Sequence, residues 1–251
     1  MRFAVLTVAF AALSPMICYA GMDDDILAPH HNERLRGPQN GAVEIRLGPY
    51  LPDVDSDPKL GGKTPFKDTF GTTPRVLVGF EVDWQAIRVP GWLSLGPGVG
   101  ASYTTFGGKA FMADAPTQRS DDETSFSVVP MHGLAVLRFD ALHEQLNVPV
   151  QLFAKGGLAA AYWSAGGPDG TYNIRGKEAS GMTWGTHFAM GAALQLDVFD
   201  TLTAARFDES TGINHTYAFW EYSITTLNGL SSDPVMRLGN NTWNAGLAFE
   251  F

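Results

Sequence analysis

The stretch Trp243-Asn244-Ala245-Gly246-Leu247-Ala248-Phe249-Glu250-Phe251 decides the fold, because large apolar residues alternate with small or polar ones along its whole length. Alternation with a period of two is typical of a β-strand that has one apolar face. That face continues to Phe251, whereas a soluble domain usually ends in a frayed polar segment. The stretch therefore predicts a closing strand whose apolar face is covered by something other than water.

The same alternation recurs along the chain and predicts eight strands in all. They are Ala42–Tyr50, Arg75–Trp84, Trp92–Thr105, Ser125–Phe139, Val148–Trp163, Met182–Val198, Ile213–Ile224 and Arg237–Phe251. Many exceed the roughly five or six residues usual in soluble sheets and reach the roughly nine to eleven that cross a membrane. Long and short connections alternate, as do external loops and periplasmic turns in outer-membrane barrels. The sequence predicts an all-β fold, an eight-stranded antiparallel up-and-down transmembrane β-barrel in the bacterial outer membrane, with both termini periplasmic.

The alternation also predicts which face of each strand meets lipid. On the second strand one face consists of Val76, Val78, Phe80 and Trp84, and we expect it to point outward. A soluble lipocalin-like barrel would place these residues inside, so their sidedness distinguishes the two architectures.

The phase of the fourth strand stays open. His132 falls on its apolar face, and a bulge at Pro130 would shift the phase. The other residues of that face are Phe126, Val128, Leu134 and Val136.

The beginning of the chain is predicted to be a targeting segment. Residues 1–20 combine a basic residue, a short apolar run and a cleavage site, which is typical of a secretory signal peptide. Residues 21–40 are polar and predict a periplasmic lead-in, which leaves residues 41–251 for the barrel. A lipoprotein signal with Cys18 as the acylated residue is the alternative, although Ile17 is bulkier than that pattern prefers.

Composition narrows the range of partners. The 251 residues carry a formal net charge of −9, which argues against a nucleic-acid partner. Cys18 is the only cysteine, so cleavage after Ala20 would leave no thiol for a disulfide or for catalysis. We also expect no cofactor.

Three stretches carry a resemblance to a known family: Arg46-Leu47-Gly48-Pro49-Tyr50-Leu51-Pro52-Asp53-Val54-Asp55, Thr64-Pro65-Phe66-Lys67-Asp68, and Gly212-Ile213-Asn214-His215-Thr216-Tyr217. With the strand pattern, they resemble small outer-membrane β-barrels of the OmpA and OmpX type, and most closely a myxobacterial outer-membrane β-barrel family. The resemblance covers residues 42–251 and implies a fold and a compartment, but no activity. It also implies that Phe251, with Phe249 and Trp243 on the same face, forms the signal read by the barrel assembly machinery.

Charged residues opposite the apolar faces predict a polar plug inside the barrel. Unpaired, each would be costly in a lumen just wide enough for side chains, but their mixed signs allow pairing. The predicted plug residues are Glu44, Arg46, Arg75, Glu81, Asp83, Lys155, Glu221 and Glu250. We expect Gly96, Gly98 and Gly100 to make room for large residues from the opposite wall.

An acidic loop follows the first strand and only partly matches a calcium site. Asp53, Asp55 and Asp57 have the spacing that opens a calcium loop, but Pro58 and Thr64 stand where that loop needs Gly and Glu. A solvated acidic loop is the favoured interpretation, and a loose external cation site is the alternative.

His215 and Glu221 share a phase on the seventh strand, which invites comparison with barrel enzymes that deacylate lipid A. Those enzymes have a serine two residues after the histidine, where this sequence has Tyr217. We therefore predict no catalytic residue and no metal ligand.

These patterns predict a non-enzymatic, membrane-anchored surface or envelope module, active in adhesion or envelope assembly. Its expected partners are outer-membrane lipid and lipopolysaccharide, the barrel assembly machinery, and a surface partner reached through the external loops. A narrow channel for small solutes or ions is the alternative, and a lipid-acting barrel enzyme is the second.

Overall fold

The computed structural model describes residues 40–109, 111, 118–119, 121–146, 148–167, 170–174, 176–199, 211–231 and 235–251. The predicted signal peptide, residues 1–20, lies outside the described residues, as does all of the predicted lead-in except Asn40.

Eight long strands form a closed barrel. They are β1 (Gly41–Tyr50), β2 (Arg75–Trp84), β3 (Leu93–Gly108), β4 (Thr124–Phe139), β5 (Val150–Gly167), β6 (Ser180–Gln195), β7 (His215–Leu227) and β8 (Asn240–Glu250). Each strand pairs antiparallel with its neighbours in the chain, and β8 pairs with β1. Because closure pairs both edges of every long strand, the sheet can lie in lipid. The predicted eight-stranded antiparallel up-and-down barrel is confirmed.

The connections give the barrel two different ends. The loop end carries the segments 51–74, 109–123, 168–179 and 228–239, and the turn end carries 85–92, 140–149 and 196–214. Short elements lie in these connections: α1 (Pro65–Phe70), α2 (Ala141–Leu146), 3-10 turns at Val54–Ser56, Pro58–Leu60 and Gly229–Ser231, and two-stranded pairings that use Ile87–Val89, Gly170–Thr171, Asn173–Ile174 and Lys177–Glu178. No helix in the described ranges is long and apolar enough to cross a membrane.

The outside of the barrel is apolar. Val76 is 66% exposed and Met190 is 67% exposed, and the exposed large residues also include Val78, Phe80, Trp84, Val99, Leu158, Trp184, Phe188 and Trp220. Soluble monomers rarely expose so much apolar surface, and lipid is the solvent that suits it. The outward direction of Val76 and its neighbours on β2 excludes the soluble lipocalin-like barrel. The protein is a transmembrane barrel of the outer-membrane type.

The structure settles the phase of β4, which contains no bulge. Its register with β5 is continuous from Ser125↔Gly166 to Phe139↔Leu152 and passes through Pro130 without a shift. The face that contains His132 points into the lumen, so its apolar residues line the interior and do not meet lipid. These apolar residues can lie in the lumen because they pack there against other apolar side chains.

An apolar cluster closes the loop end, and we call it the loop-end cap. It consists of Tyr50, Phe66, Phe106, Phe126, Val128, Ala159, Ala161, Leu227 and Leu238. Phe66 of α1 packs its ring edge-on against Phe106 and Phe126, with ring centroids 5.1 and 5.7 Å away. The Tyr50 hydroxyl donates a 2.7 Å hydrogen bond to the Leu238 carbonyl. The first loop thus places a helix over the barrel mouth.

Candidate functional site

Buried charged residues form a cluster at mid-height in the lumen, which we call the central cluster. Its members are Glu44, Arg46, Glu81, Asp83, Arg138, Lys155 and Glu221. They come from five strands, because inward positions of β1, β2, β4, β5 and β7 reach the same level. All are at most 5% exposed.

Arg46 and Lys155 hold the centre of this cluster together. The Arg46 guanidinium donates to Glu44 at 2.9 Å, to Glu221 at 3.1 Å and to Glu81. The Lys155 ammonium donates to Glu44 at 2.5 Å and to Glu81 at 2.8 Å, and lies 3.6 Å from Glu221. Each cation bridges the same carboxylates, so the charges compensate one another in a site that excludes bulk water.

A second ion pair extends the cluster toward the turn end. Arg138 makes a bidentate pair with Asp83, at 2.5 and 2.7 Å, and also donates to Glu44 at 3.3 Å. On the loop side, the His132 ring lies 2.8 Å from Glu81 and stacks on His187, with centroids 4.9 Å apart. The cluster is therefore one connected network across the lumen.

The structure brings most of the predicted plug residues together, with two exceptions. Glu44, Arg46, Glu81, Asp83, Lys155 and Glu221 meet as predicted by their strand phase, although Arg75 and Glu250 do not join them. Arg75 has the inward phase but is the first residue of β2, at the loop end, and is exposed. Its assignment to the plug is corrected for that reason. Glu250 is buried at the turn end, where the Tyr217 hydroxyl and the Gln85 amide donate to its carboxylate.

Inward glycines make room beside neighbours on paired strands, which corrects the expectation for Gly96, Gly98 and Gly100. A Cβ on Gly98 would lie 3.0 Å from Val136 of β4 and 3.1 Å from Asp83 of β2, the two strands that flank β3. A Cβ on Gly100 would meet His132, its direct partner on β4. Side chains lean sideways over these glycines because the barrel is narrow.

A polar cavity of about 180 Å³ opens at the turn end, and we call it the turn-end pocket. Its polar lining residues are Arg88, Asp140, Gln151, Gln195, His215, Tyr217 and Glu250, and Pro90, Gly91, Pro149 and Val150 complete the lining. The Tyr217 hydroxyl donates to Glu250 at 3.1 Å, and Gln85 and Arg88 also contact the Glu250 carboxylate. Behind the wall, His215 lies 2.7 Å from Asp197.

Two carboxyls in the turns have opposite pKa shifts. Burial raises the pKa of Asp140 above its ordinary value, although a hydrogen bond from Gln151 works against this. Burial also acts to raise the pKa of Asp197, but hydrogen bonds from His215, Gln195 and the Thr216 amide outweigh it and hold that pKa below its ordinary value. A positive group placed beside Asp140 would therefore stabilise the ionised form of its carboxyl. The ionised form of Asp197 is already stabilised by its hydrogen bonds.

Two small voids lie in the lumen between the turn-end pocket and the loop-end cap. A void of only about 10 Å³ separates the turn-end pocket from the central cluster. Another of about 40 Å³ lies between the cluster and the loop-end cap. One water needs about 10 to 15 Å³, so the first void holds about one water at most and the second only a few.

Carboxylates gather in two places that invite comparison with metal sites. Glu44, Glu81 and Asp83 bring oxygens within 4.8 Å of one another, but Arg46, Arg138 and Lys155 already neutralise them. In the first loop, Asp55 accepts the amides of Phe66 and Lys67, both at 2.9 Å, and Asp57 accepts the Lys59 amide. These aspartates order the loop and the start of α1.

His215 and Glu221 both point into the lumen but serve different layers. His215 contacts Asp197 and Gln195 at the turn end, whereas Glu221 contacts Arg46 at mid-height. Tyr217 lies between them along the strand and donates to Glu250.

Sequence reasoning did not name Arg138, His132 or His187 among the plug residues. Arg138 and His132 belong to the even-numbered face of β4, whose apolar residues suggested the opposite direction. His187 stacks on His132 and its ring lies 2.8 Å from the Thr225 hydroxyl. The presence of His132 and Arg138 on an otherwise apolar face of β4 was the signal in the sequence that this face points inward.

No family model matches the sequence, and no curated protein sequence matches it significantly. Among solved structures, the attachment invasion locus protein Ail of Yersinia pestis aligns with 85% of this chain and 97% of its own, at 9% identity and a TM-score of 0.41. Neisserial surface protein A aligns with 84% and 96%, at 11% identity and a TM-score of 0.43. The outer membrane protein OprG from Pseudomonas aeruginosa aligns with 85% and 96%, at 10% identity and 0.42. Likenesses of this size carry no argument about function, and the barrel assignment rests on strand pairing and the apolar exterior. The closer resemblance to a myxobacterial family stays a prediction.

Proposed function

We propose that this protein is a non-enzymatic, membrane-anchored surface module whose lumen is sealed. The observation that carries the proposal is the central cluster, in which Arg46 and Lys155 each contact the same three carboxylates across the barrel. Opening a path there would separate buried charges from their partners, which costs several kcal/mol for each unpaired ion.

The ordered loop end supports a role at the surface. Asp55 caps the first amides of α1, and Arg119 ties the second loop to the first by donating to the Asp68 carbonyl at 3.0 Å. Arg237 in the last loop donates to the Ser56 carbonyl at 3.3 Å. Loops that are held to one another in this way present a defined surface for adhesion or envelope assembly.

The proposal includes an orientation. The loop end faces outward, and both termini face the periplasm. Two of the three turn-end connections, 85–92 and 140–149, are short, as periplasmic turns usually are, although 196–214 is long. Lipopolysaccharide would then surround the loop-end rim, and Phe251 would be presented to the barrel assembly machinery from the periplasmic side. Accessibility of cysteines introduced at Thr72 and Gln145 to an impermeant thiol reagent in intact cells tests it, with labelling expected only at Thr72.

Single-channel recording on refolded protein in a planar bilayer tests the sealed lumen. We expect no steady porin-like current. A stable open state with ion selectivity that changes in Glu81→Gln would support the narrow channel instead and would exclude the sealed module.

The surface role needs its own test. A Gram-negative host expressing the protein is compared with one expressing a variant in which residues 54–71 are replaced by a flexible Gly-Ser linker. We expect equal amounts of folded barrel in the membrane, and a loss of cell adherence or of envelope integrity in the variant only. Equal behaviour of the two strains in both assays would remove the first loop from the proposed function.

A further inference from the structure

The turn-end pocket is large enough to hold a ligand and lies outside the seal. Its volume of about 180 Å³ contrasts with the void of about 10 Å³ that separates it from the central cluster. The turn-end pocket has room for a small organic molecule, since one water needs about 10 to 15 Å³. A ligand in this pocket would not require the barrel to open.

Hydrogen-bond donors in the pocket wall are engaged with the protein itself. The Tyr217 hydroxyl donates to Glu250, and the Gln151 amide donates to Asp140 at 2.7 Å. Arg88 donates to Gln85 and lies 3.6 Å from Glu250. A ligand rich in acceptors, such as an anion, would have to break these bonds to enter.

One acceptor in the wall has no partner among the described residues. Gln195 is 5% exposed, and its Oε1 is a buried atom without a hydrogen bond. The Nε2 atom of this amide lies 3.1 Å from a carboxylate oxygen of Asp197 and 2.9 Å from His215 Nδ1, which leaves Oε1 as the atom without a partner in the described part of the chain. A buried acceptor left unpaired costs free energy that a donor on a ligand would recover.

The charge of the wall favours a cation. Arg88 lies 3.6 Å from the acid Glu250. Asp140 is a second acid of the lining, and the neutral Gln151 amide donates to it at 2.7 Å. Burial raises the pKa of Asp140. An ammonium beside this carboxylate would favour its ionised form.

We propose that the turn-end pocket binds a small hydroxylated primary amine, of the size of an amino sugar. Its ammonium group would bind Asp140, and its hydroxyls would donate to Gln195. This site is separate from the sealed lumen, because the central cluster lies between the pocket and the loop end. A conducting barrel would overturn the proposed function without affecting binding at the turn end.

Isothermal titration calorimetry of the refolded full chain in detergent tests the proposal, in a phosphate buffer without Tris, which is itself a hydroxylated amine. The probes are D-glucosamine, ethanolamine, D-glucose and acetate. We expect saturable binding of D-glucosamine, with glucose and acetate at least about tenfold weaker, the ratio for one lost charged hydrogen bond. If ethanolamine binds as tightly as D-glucosamine, the ligand is a lipid-headgroup amine. If ethanolamine binds more weakly, the ligand is an amino sugar. No binding of either amine, or tighter binding of acetate, would overturn the proposal.

Variants locate the site. Gln195→Leu and Asp140→Asn should each weaken D-glucosamine binding roughly tenfold or more. Gln118→Leu, the same change at the loop end, should leave it unchanged. If Gln195→Leu does not fold, Asp140→Asn carries the test, because Asp140 lies in a turn. Unchanged affinity in Asp140→Asn would place the amine elsewhere and overturn the assignment.

Discussion

Glu81 is a charged residue at the centre of the lumen. It is fully buried, and its carboxylate contacts Arg46, Lys155 and His132. Glu81→Gln would leave two buried cations with one fewer negative partner, so we expect unfolding to become easier by about 3 to 5 kcal/mol. Denaturant titration in lipid vesicles measures this loss.

Arg75→Gln is the matched control for Glu81→Gln. Arg75 shares the strand and the phase of Glu81 but is exposed at the loop end. We expect its loss to stay within about 0.5 kcal/mol. Equal losses in the two variants would mean that stability does not depend on the central cluster.

Asp197 gives stability a defined dependence on pH. Hydrogen bonds from His215, Gln195 and Thr216 hold its folded-state pKa below the ordinary 3.8. A depressed pKa contributes stability above the unfolded-state value, and this contribution is lost as pH falls through the folded-state value. Asp197→Asn should therefore be less stable than the natural protein at pH 7, and the difference should shrink below about pH 4. Thermal melts across pH measure it, with the exposed Asp53→Asn as control, and a difference that grows in acid would contradict the assignment.

At the residue scale, the sequence predicts whether a side chain points inward better than it predicts the level of that side chain along the barrel axis. The alternation correctly gave an inward phase to Arg75, but whether an inward residue meets partners depends on its level in the barrel. That level is set by the register between strands that are far apart in sequence, such as Arg46 with Gly79 and Glu221 with Gly191. Arg138 was missed for the complementary reason, because apolar neighbours concealed its phase.

At the scale of elements, large inward side chains lie beside inward glycines on the adjacent strand. Arg46 pairs with Gly79, Phe153 with Gly191, and Phe219 with Gly246. A Cβ on Gly79 would lie 2.8 Å from Arg46 and 2.5 Å from Ser102. Paired large and small residues let a narrow lumen be filled without clashes.

Gly79→Leu tests this pairing. The added side chain would displace Arg46 from its carboxylates, and we expect a loss of about 1 to 3 kcal/mol from overpacking alone. Gly133→Leu is the control, since Gly133 points outward from β4 and has no atom within 4 Å of an added Cβ. Denaturant titrations should show little or no loss for the control. A tolerated Gly79→Leu would refute the pairing rule.

The closing strand depends on its last residue. Phe251 donates its amide to the Gly41 carbonyl and accepts from the amides of Asn40 and Gly41, at 2.8 to 3.0 Å. Deleting Phe251 removes these bonds where β8 closes on β1, so we expect less folded protein in the membrane fraction. Phe251→Glu keeps the backbone bonds and removes the aromatic ring. Normal insertion of Phe251→Glu together with failure of the deletion would assign the role to backbone closure and not to recognition of the aromatic residue.

At the scale of the whole molecule, the barrel has three layers that local sequence patterns do not distinguish. The loop-end cap, the central cluster and the turn-end pocket are all built from inward positions of the same strands. The alternation predicts that these residues point inward, and it correctly predicts the barrel and the polar middle. The apolar cap and the pocket could not be predicted, because they depend on where loops and turns fold back over the two mouths.

The layers also indicate where the bilayer lies around the barrel. Met190 is exposed on β6 beside Ala189, whose partner on β5 is Lys155, so Met190 lies at the level of the central cluster. Leu194 is on the same face, four residues or about 13 Å nearer the turn end. If the central cluster marks the membrane midplane, Met190→Arg should cost about 2 to 4 kcal/mol and Leu194→Arg only about 0 to 1 kcal/mol. Folding titrations into vesicles measure both costs, with Thr72→Arg in the exposed first loop as the control for the added charge. A larger cost at Leu194 than at Met190 would shift the bilayer toward the turn end, and the turn-end pocket would then lie at membrane depth.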